Sequence, residues 1–232
     1  LISLTPNTKY FIRAYAVNNS GIAYGNEISF TTLALTAGTI TDIDGNIYHS
    51  IIIGTQVWMV ENLKTTKYND GTPIPNVSAG PDFLATTAAA YCWYDNDIKN
   101  KADYGALYNW YAVNSGKLCP PGWHVPSNEE WIALANYLGG YRIAGAKLKE
   151  AGTIHWGLLS NPEATNESGF TALPGGTTYS GGSIGLGYHG VWWTSSRSDW
   201  GPTCYVMSHD NVALMDSGGD NYDGFSVRCI KD

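Results

Sequence analysis

The sequence predicts an α+β fold in which short helices flank small, twisted antiparallel sheets connected by long loops. One amphipathic helix is clear, from Ser127 to about Leu138. After Phe170, short apolar runs are separated by Gly, Ser and Thr, a pattern typical of twisted strands and surface loops. Residues 68–104 are rich in Gly, Pro, Asn and Asp, which predicts further loops.

The helix is predicted by its N-terminal cap and by its apolar periodicity. Ser127 and Glu130 have the spacing of a capping box, in which each side chain accepts a hydrogen bond from the other residue's backbone N–H. The apolar residues that follow lie at helical spacing and form one face: Trp131, Leu134, Ala135 and Leu138. A shorter helix is predicted over residues 144–150.

Alternation of apolar and polar residues predicts two strands near the N-terminus, at residues 9–17 and 27–32, with a turn at 18–21. This pair of strands is similar to the last two strands of a fibronectin type III domain, in which Tyr10 takes the place of the tyrosine corner. An ordinary hairpin packed on the main domain is the alternative interpretation.

A second hairpin is predicted at Asp44-Gly45, which stands between alternating apolar residues. Asp42, Asp44 and Asn46 also resemble the beginning of a calcium-binding loop, but the remaining ligands, including a Glu at the twelfth position, are absent. The hairpin is therefore the favoured interpretation. The apolar run at residues 51–59 predicts a buried strand.

Charge and composition argue against several classes of function. The formal net charge is −7 and no run of Lys or Arg occurs, which argues against binding to nucleic acid or to an anionic membrane surface. Only 14% of the residues are charged and 13% are aromatic, a composition found in extracellular domains and antibody-like binding surfaces. No apolar run approaches the length of a transmembrane helix.

The residues that usually carry catalysis show no known arrangement. The four cysteines, at positions 92, 119, 204 and 229, contain no Cys-x-x-Cys pair, and they allow three disulfide connectivities. No Ser/His/Asp spacing, nucleophile elbow or phosphate-binding Gly loop occurs. His124, in the tight segment before Pro126, is predicted to be structural. The sequence therefore predicts no catalytic residue, no cofactor and no metal.

A series of motifs in a fixed order resembles the Fibrobacter succinogenes major paralogous domain. They are DIDGNIY (42–48), IGTQVWMVENL (53–63), YGALYNW (104–110), LCPPGWHVP (118–126), NESGF (166–170), LPGG (173–176), WWTSS (192–196) and GFSVRC (224–229). The resemblance covers about residues 39–232. We therefore expect a division into residues 1–34, the end of a fibronectin type III-like domain, and 35–232, a ligand-binding domain.

The resemblance implies a C-type-lectin-like fold on an extracellular, cell-surface or phage protein. That fold commonly has a disulfide between the region of its first helix and its last strand, which implies a bridge between Cys119 and Cys229. Cys92 and Cys204 would then be free or paired with each other. The fold does not define the ligand, because it also occurs in sugar binders, adhesins, formylglycine-generating enzymes and retroelement variable proteins.

The amino-acid content of the C-terminal segment fits diversification by a retroelement. Adenine-directed change of AAC codons yields NNC codons, which cannot encode Lys, Glu, Gln, Met or Trp. Residues 1–167 contain 8 Lys, 7 Glu and 1 Gln, a frequency that predicts about six in the next 63 residues, and residues 168–230 contain none. Gly/Ser-rich extracellular loops often lack these residues too. Trp200, Met207 and Met215 would have to be unchanged template positions.

A binding surface is predicted between residues 188 and 223, where aromatic, Asp, Asn and Ser residues recur without a regular period. Its members are Tyr188, His189, Arg197, Asp199, Trp200, Tyr205, Ser208, His209, Asp210, Asn211, Asp216, Asn221, Tyr222 and Asp223. Arg197 and Trp200 are of the types that most often dominate binding energy. A solvated loop region without a partner is the alternative. Trp192 and Trp193 are predicted to belong mainly to the core.

We therefore predict a non-enzymatic adhesion or ligand-binding protein whose partner is a protein or glycan on another cell or surface. The alternatives are a glycan-binding lectin of fixed specificity and an enzyme of the formylglycine-generating kind. Asn161-Pro162-Glu163 and Asp210-Asn211 resemble the calcium ligands of sugar-binding lectins, but calcium needs six to eight converging oxygens. The enzyme alternative requires two reactive thiols, whereas Cys204 and Cys229 are 25 residues apart.

Overall fold

The computed structural model describes residue 4 and residues 8–32, 36–157, 163–179 and 182–232. The predicted domain boundary between residues 34 and 35 and the Asn161-Pro162 pair lie outside the described residues. The described chain consists mainly of antiparallel sheets with a few short helices and long connections. The coarse prediction of short helices, small sheets and loops is therefore confirmed.

The N-terminal segment forms two short antiparallel ladders instead of a hairpin with two long strands. Its strands are β1 (Lys9–Ile12), β2 (Tyr15–Asn18), β3 (Gly21–Tyr24) and β4 (Ile28–Thr31), with β1 paired to β4 and β2 to β3. The predicted strand at 9–17 is interrupted at Arg13 and Ala14. Arg13 forms an ion pair with Glu27 at 2.9 Å, and the Ala14 carbonyl accepts a hydrogen bond from the Gly25 N–H, so one side-chain pair and one backbone bond replace the regular ladder there.

The first five-stranded sheet has the order β10-β16-β7-β6-β5. Its strands are β5 (Thr36–Thr41), β6 (Ile47–Ile53), β7 (Gln56–Met59), β10 (Trp123–His124) and β16 (Ile230–Lys231). The predicted hairpin at Asp44-Gly45 is confirmed, since β5 and β6 pair across it. The Asp42 carboxylate accepts hydrogen bonds from the backbone of Asp44 and Asn46 and from Tyr48, so it stabilises the turn.

Residues 51–59 form a hairpin and not a single strand, which corrects the prediction. The chain turns at Gly54 and Thr55, and β6 pairs with β7 from Ser50↔Met59 to Ile53↔Gln56. Gly54 has a φ of +64°, a conformation that glycine adopts without strain. The apolar run hid the turn because both strands carry buried residues on each side of it.

The principal helix is confirmed together with its cap. Helix α4 (Asn128–Tyr137) begins after Ser127, whose hydroxyl accepts from the Glu130 N–H at 3.2 Å, while the Glu130 carboxylate accepts from the Ser127 N–H at 2.7 Å. The other helices are short: α1 (Pro81–Ala85), α2 (Lys101–Tyr104), α3 (Trp110–Val113) and α5 (Tyr141–Leu148). The last one starts three residues earlier than predicted. A two-stranded ladder, β8 (Tyr91–Cys92) with β9 (Leu107–Tyr108), joins α2 and α3 to the core.

The second five-stranded sheet contains most of the predicted binding residues and has the order β12-β11-β13-β14-β15. Its strands are β11 (Gly175–Tyr179), β12 (Gly182–Leu186), β13 (His189–Ser198), β14 (Gly201–Ser208) and β15 (Met215–Gly218). The inner face of this sheet packs on α4, where the Trp131 ring stacks on Tyr205 at 5.0 Å. The opposite, outer face carries Val191, Trp193, Cys204 and Val206.

Trp192 and Trp193 are both fully buried, and they lie in different parts of the core. Neighbouring residues of a strand point to opposite faces. Trp192 therefore packs with Trp131 and Tyr205 beneath the sheet, while Trp193 packs against Phe225 at 4.3 Å. The prediction that this pair belongs to the core is confirmed, and β13 is consequently anchored on both sides.

A buried polar cluster around Asn62 connects segments that are distant in sequence. The Asn62 carbonyl accepts from Trp192 Nε1 at 2.8 Å and from Arg228 Nη2 at 2.9 Å, and its amide donates to Tyr104 O at 2.9 Å. Arg228 also donates to the carbonyl oxygen of Phe170 and lies 4.1 Å from that ring. Burial lowers the pKa of Arg228 to about 9, and its charge is compensated by oxygens and aromatic faces.

The expected disulfide is present between Cys119 and Cys229, and Cys92 and Cys204 are free and buried. The bridge connects the segment before α4 to the residue before β16, closing a loop of 110 residues. A bridge that closes a loop of this length lowers the conformational entropy of the unfolded chain, which stabilises the fold by about 4 to 5 kcal/mol. Near the bridge, His124 lies 2.6 Å from Asp232 and 2.9 Å from Glu130, a structural position as predicted.

Replacing Asn62 with Leu should lower the free energy of unfolding by about 3 to 5 kcal/mol, because it leaves buried donors of Arg228 and Trp192 without an acceptor. Urea unfolding measures the loss as a lower midpoint. The matched control is Asn136→Leu on the exposed side of α4, which we expect to change stability by about 0.5 kcal/mol or less. Equal stabilities of the two variants would contradict this role of Asn62.

Candidate functional site

A groove of about 280 Å³ lies on the outer face of the second sheet, and we call it the sheet groove. It is lined by Thr177, Tyr179, Ile184, His189, Val191, Cys204, Val206, Ser217, Gly218 and Phe225. Its floor is apolar and its rim contains an imidazole and hydroxyl groups. A space of this size suits one amino-acid side chain or one sugar ring better than a larger ligand.

One end of the sheet carries the turn between β13 and β14, which we call the hairpin tip. The Trp200 side chain there is 98% exposed, beside the exposed Asp199. Arg197 lies 5.2 Å from the ring of Trp110 and donates to Asn221 Oδ1 at 2.8 Å. These contacts fix the loop of Asn221 and the exposed Tyr222 next to the tip.

The other end of the sheet carries a second group of predicted residues. The ring of His209 lies 5.0 Å from Tyr188 and 6.5 Å from His189, and His209 N donates to Tyr188 O. Asp210 and Asn211 follow in an exposed loop. The ten residues of β13 separate the two ends by about 30 Å. The predicted single surface is therefore two separate clusters with the sheet groove between them.

Three of the predicted binding residues are buried and cannot contact a ligand directly. Tyr205 is 1% exposed and lies beneath the sheet, where its hydroxyl donates to Asn128 at 2.8 Å. Ser208 and Asp223 are 7% and 8% exposed. The Ser208 hydroxyl donates to Asp210, and the Asp223 carboxylate accepts from the Asp220 N–H at 2.8 Å. Strand alternation places the Tyr205 side chain on the inner face, whereas Ser208 and Asp223 are buried at turns by these hydrogen bonds, which residue type alone did not reveal.

Asp216, on the edge strand β15, is exposed. Directly opposite residues of paired strands carry their side chains on the same face. Asp216 pairs with Tyr205 and therefore lies on the inner-face side of the edge, whereas Met215 and Ser217 lie on the side of the sheet groove. β15 thus presents an acidic side and a groove side.

Sequence reasoning missed Lys149, which fixes the loop after β14. Its ammonium is buried and donates to Ser208 O at 2.9 Å and to Asn211 O at 2.8 Å. Burial lowers the pKa of Lys149 to about 8. No sequence signal marks it, since its acceptors are carbonyl oxygens about sixty residues away.

The lectin-like calcium ligands are not brought together in the part of the chain that the structure describes. The Asp210-Asn211 loop is bound by the Lys149 ammonium, and a fixed positive charge there disfavours a divalent cation. Within that same part, no group of three or more His, Cys, Asp or Glu side chains is arranged to hold a metal ion. Asn161 and Pro162 lie outside the described residues.

No pattern in the sequence predicted the apolar floor of the sheet groove. Val191, Val206 and Phe225 come together only because β13 and β14 pair in a particular register and Phe225 packs on Trp193. Cys204 also lies on this floor, and burial raises the pKa of its thiol to about 12. The groove floor therefore contains a thiol of low reactivity, because burial suppresses its thiolate form.

The fold and the groove together define a disulfide-stabilised α+β domain with a small groove on one sheet, and no helix among the described residues is long and apolar enough to cross a membrane. The chain belongs to the Fibrobacter succinogenes major domain family, whose sequence profile matches residues 51–231. Neither a curated protein nor a solved structure matches it significantly.

The stability of the protein should depend on pH through Asp223, which lies in the loop beside the hairpin tip. Burial raises the pKa of Asp223 to about 6, above the value of 3.8 for an exposed carboxyl. The folded state therefore binds this proton more tightly than the unfolded state, so this group makes the protein more stable as pH falls from about 7 to about 4.

Asp223→Asn should therefore melt at a higher temperature than the wild type at pH 7, and the difference should shrink towards pH 4. Thermal unfolding across this pH range measures it. Asp199→Asn removes an exposed charge from the same end of the sheet and is the control. A constant difference at every pH would contradict the assignment to Asp223.

Proposed function

We propose that this chain is a non-enzymatic, extracellular ligand-binding protein with a C-type-lectin-like fold. The position of the disulfide, between the segment before the capped helix and the last strand, supports this fold. A disulfide is also typical of oxidising compartments outside the cytoplasm. The binding surface is the hairpin tip with the adjoining sheet groove, and the ligand is a protein on another cell or surface.

The observation that carries this proposal is the exposure of Trp200. An indole that is 98% exposed leaves a large apolar area in water, and such residues mark contact sites when polar groups surround them. Asp199, Arg197 and Tyr222 provide that polar and aromatic surround. Burial of the indole in a partner's pocket would contribute about 2 kcal/mol or more to binding.

The rigidity of the support favours binding over a merely solvated loop. β13 is anchored by Trp192 and Trp193 on opposite faces, and the Trp193 indole donates to Tyr108 O at 2.7 Å. The tip itself is closed by Ser198, whose hydroxyl donates to Gly201 O at 3.1 Å. A preorganised surface loses little conformational entropy on binding, which increases affinity.

A glycan is the second candidate ligand. The exposed Trp200 and Tyr222 rings provide flat apolar faces that suit sugar rings, and Asn221 and Asp199 provide hydrogen-bonding groups beside them. The sheet groove has room for one such ring. A glycan ligand differs from a protein ligand in two measurable ways: free sugars compete for binding, and protease treatment of the target cell leaves binding intact.

The enzyme alternative finds little support at the cysteines. Cys229 is bonded to Cys119, and Cys204 is buried with a raised thiol pKa. These positions do not provide the two reactive thiols that chemistry of the formylglycine-generating kind requires. Thiolate is the reactive form of cysteine, and burial suppresses it at Cys204.

Trp200→Ala should lower the affinity of the domain for its target about thirtyfold, because it removes the largest apolar contact. Flow cytometry of the labelled domain on a panel of intact bacterial and animal cells, with and without protease treatment, measures this loss. Tyr137→Ala is the matched control, since Tyr137 is 61% exposed on α4, away from the hairpin tip. Equal binding of wild type and Trp200→Ala would refute the proposed surface.

Diversification of this surface by a retroelement is a separate part of the proposal, supported by the absence of Lys, Glu and Gln from residues 168–230. In that case Trp200 is an unchanged anchor among variable neighbours. We expect a near-identical repeat of the 3′ end of the gene that differs only at adenines, near a reverse transcriptase gene. Sequencing the gene and its flanks tests this, and a locus without the repeat leaves a binder of fixed specificity.

A further inference from the structure

We propose that the free edge of β15 binds an extended segment of a partner protein as an additional strand, and that this segment alternates apolar and basic residues. This inference rests on the proposed binding function and specifies its partner. It is carried by three features of the second sheet: unused backbone groups at the edge, an apolar groove on one side, and uncompensated acidic charge on the other.

The register of β15 determines which backbone groups are unused. Gly219 N donates to Pro202 O, so this pair is hydrogen-bonded, and bonded and non-bonded pairs alternate along an antiparallel ladder. Met215 and Ser217 therefore bond to β14. The N–H and C=O groups of Asp216 and Gly218 therefore point away from β14, along an edge whose residues are all exposed. Of these four groups, the Gly218 carbonyl has one long contact, from the Ser217 hydroxyl at 3.5 Å.

Two of the other edges of the large sheets, at β12 and β5, differ from this one. The β12 edge is covered, since the Asp95 N–H donates to Ser183 Oγ at 2.9 Å and Tyr94 packs beside Leu186. The β5 edge contains a register shift between Thr36 and Gly38, which disrupts a continuous ladder. Bulges and covering segments are the usual protection of sheet edges. In the part of the chain that the structure describes, β15 has neither, and its sequence, Met-Asp-Ser-Gly, contains no Lys or Pro.

On the outer side of this edge, the sheet groove offers a place for apolar side chains. Ser217 and Gly218 form its border at β15, and their small size leaves it open towards an added strand. A side chain of the partner opposite Ser217 would lie on the same face, next to Cys204 and Val206. Valine or isoleucine fits this position, because the floor is apolar and the space is small.

On the inner side of the edge, the charge is negative. Asp216 pairs with Tyr205 across the ladder, and Glu129 follows Asn128, whose side chain accepts from the Tyr205 hydroxyl at 2.8 Å. Burial, the contact with Tyr141 and these two charges raise the pKa of Tyr205. Among the described residues, no ion pair joins Asp216 or Glu129 to a cation. The chain as a whole carries a net charge of −7. A basic side chain opposite Asp216 complements this charge.

Together these features specify the partner's pattern. Alternate residues of a strand point to opposite faces. A segment whose apolar residues face the groove must therefore place every other residue beside Asp216, where Arg or Lys is favoured. Backbone pairing provides affinity and the two side-chain positions provide selectivity, as in other cases of strand addition.

The probe is a short fluorescein-labelled peptide in which Val and Arg alternate, titrated against the whole domain by fluorescence anisotropy. The comparison peptide alternates Val and Glu. We expect Asp216→Lys to weaken binding of the Val/Arg peptide about tenfold and to strengthen binding of the Val/Glu peptide. Thr39→Lys, which adds one positive charge on the exposed edge strand β5, should leave both affinities unchanged.

N-methylation of the peptide tests backbone pairing without altering the protein. In an antiparallel added strand, the Arg residues lie opposite Asp216 and Gly218, and their backbone N–H groups bond to β15. Methylation of the backbone nitrogens of the Arg residues should therefore abolish binding, whereas methylation of the backbone nitrogens of the Val residues should not. A parallel strand reverses the two results and still supports strand addition. Binding that survives both methylations overturns the proposal.

A second outcome also overturns it. Asp216 could serve only to prevent association between sheet edges, in which case Asp216→Ser forms oligomers and the wild type binds neither peptide. Trp200→Ala should retain peptide binding, because Trp200 does not line the sheet groove. If the wild type binds cells through Trp200 but does not bind the Val/Arg peptide, this inference alone is refuted. Loss of cell binding with intact peptide binding refutes the proposed surface at the hairpin tip.

Discussion

The hydrogen bonds between Asn62 and Arg228 hold together the parts of the domain on which everything else depends. A single amide side chain, in the segment after β7, bonds to the end of α2, to β13 and to the C-terminal segment. A buried guanidinium without a carboxylate partner is costly unless its donors are all engaged. The carbonyl oxygens of Phe170 and Asn62 meet that need. The geometry of the surrounding loops is fixed in consequence.

This internal constraint explains how a sheet with long, irregular connections presents a defined surface. Trp192 is bound to Asn62 on one side of β13, and Trp193 is packed on Phe225 on the other. The disulfide ties the C-terminal strand to the segment before the principal helix. The exposed residues therefore project from strands that cannot shift independently. Binding to such a surface requires little ordering, and variation of the exposed side chains leaves the scaffold intact.

The predicted binding residues illustrate why residue type alone does not define a site. Tyr205 is of a residue type common at contact surfaces, yet it lies beneath the sheet, because its neighbours along β14, Cys204 and Val206, face the groove. Val191 and Val206 gave no signal and form the groove floor. Register decides between these outcomes, since a shift by one residue exchanges the two faces of a strand. The separation of Trp200 from His209 along one hairpin has the same origin.

The sequence by itself determined the features that depend on neighbouring residues. The capping box at Ser127, the turn at Asp44-Gly45 and the apolar face of α4 follow from local hydrogen bonds and periodicity, and the ordered motifs indicated the family. Tertiary structure decided the hairpin within 51–59, the burial of Asp223, the role of Lys149 and the free edge of β15. A continuous apolar run concealed the hairpin, whose strands pair locally. The other features depend on contacts between segments that are not neighbours in the sequence, and no local pattern encodes which segments meet.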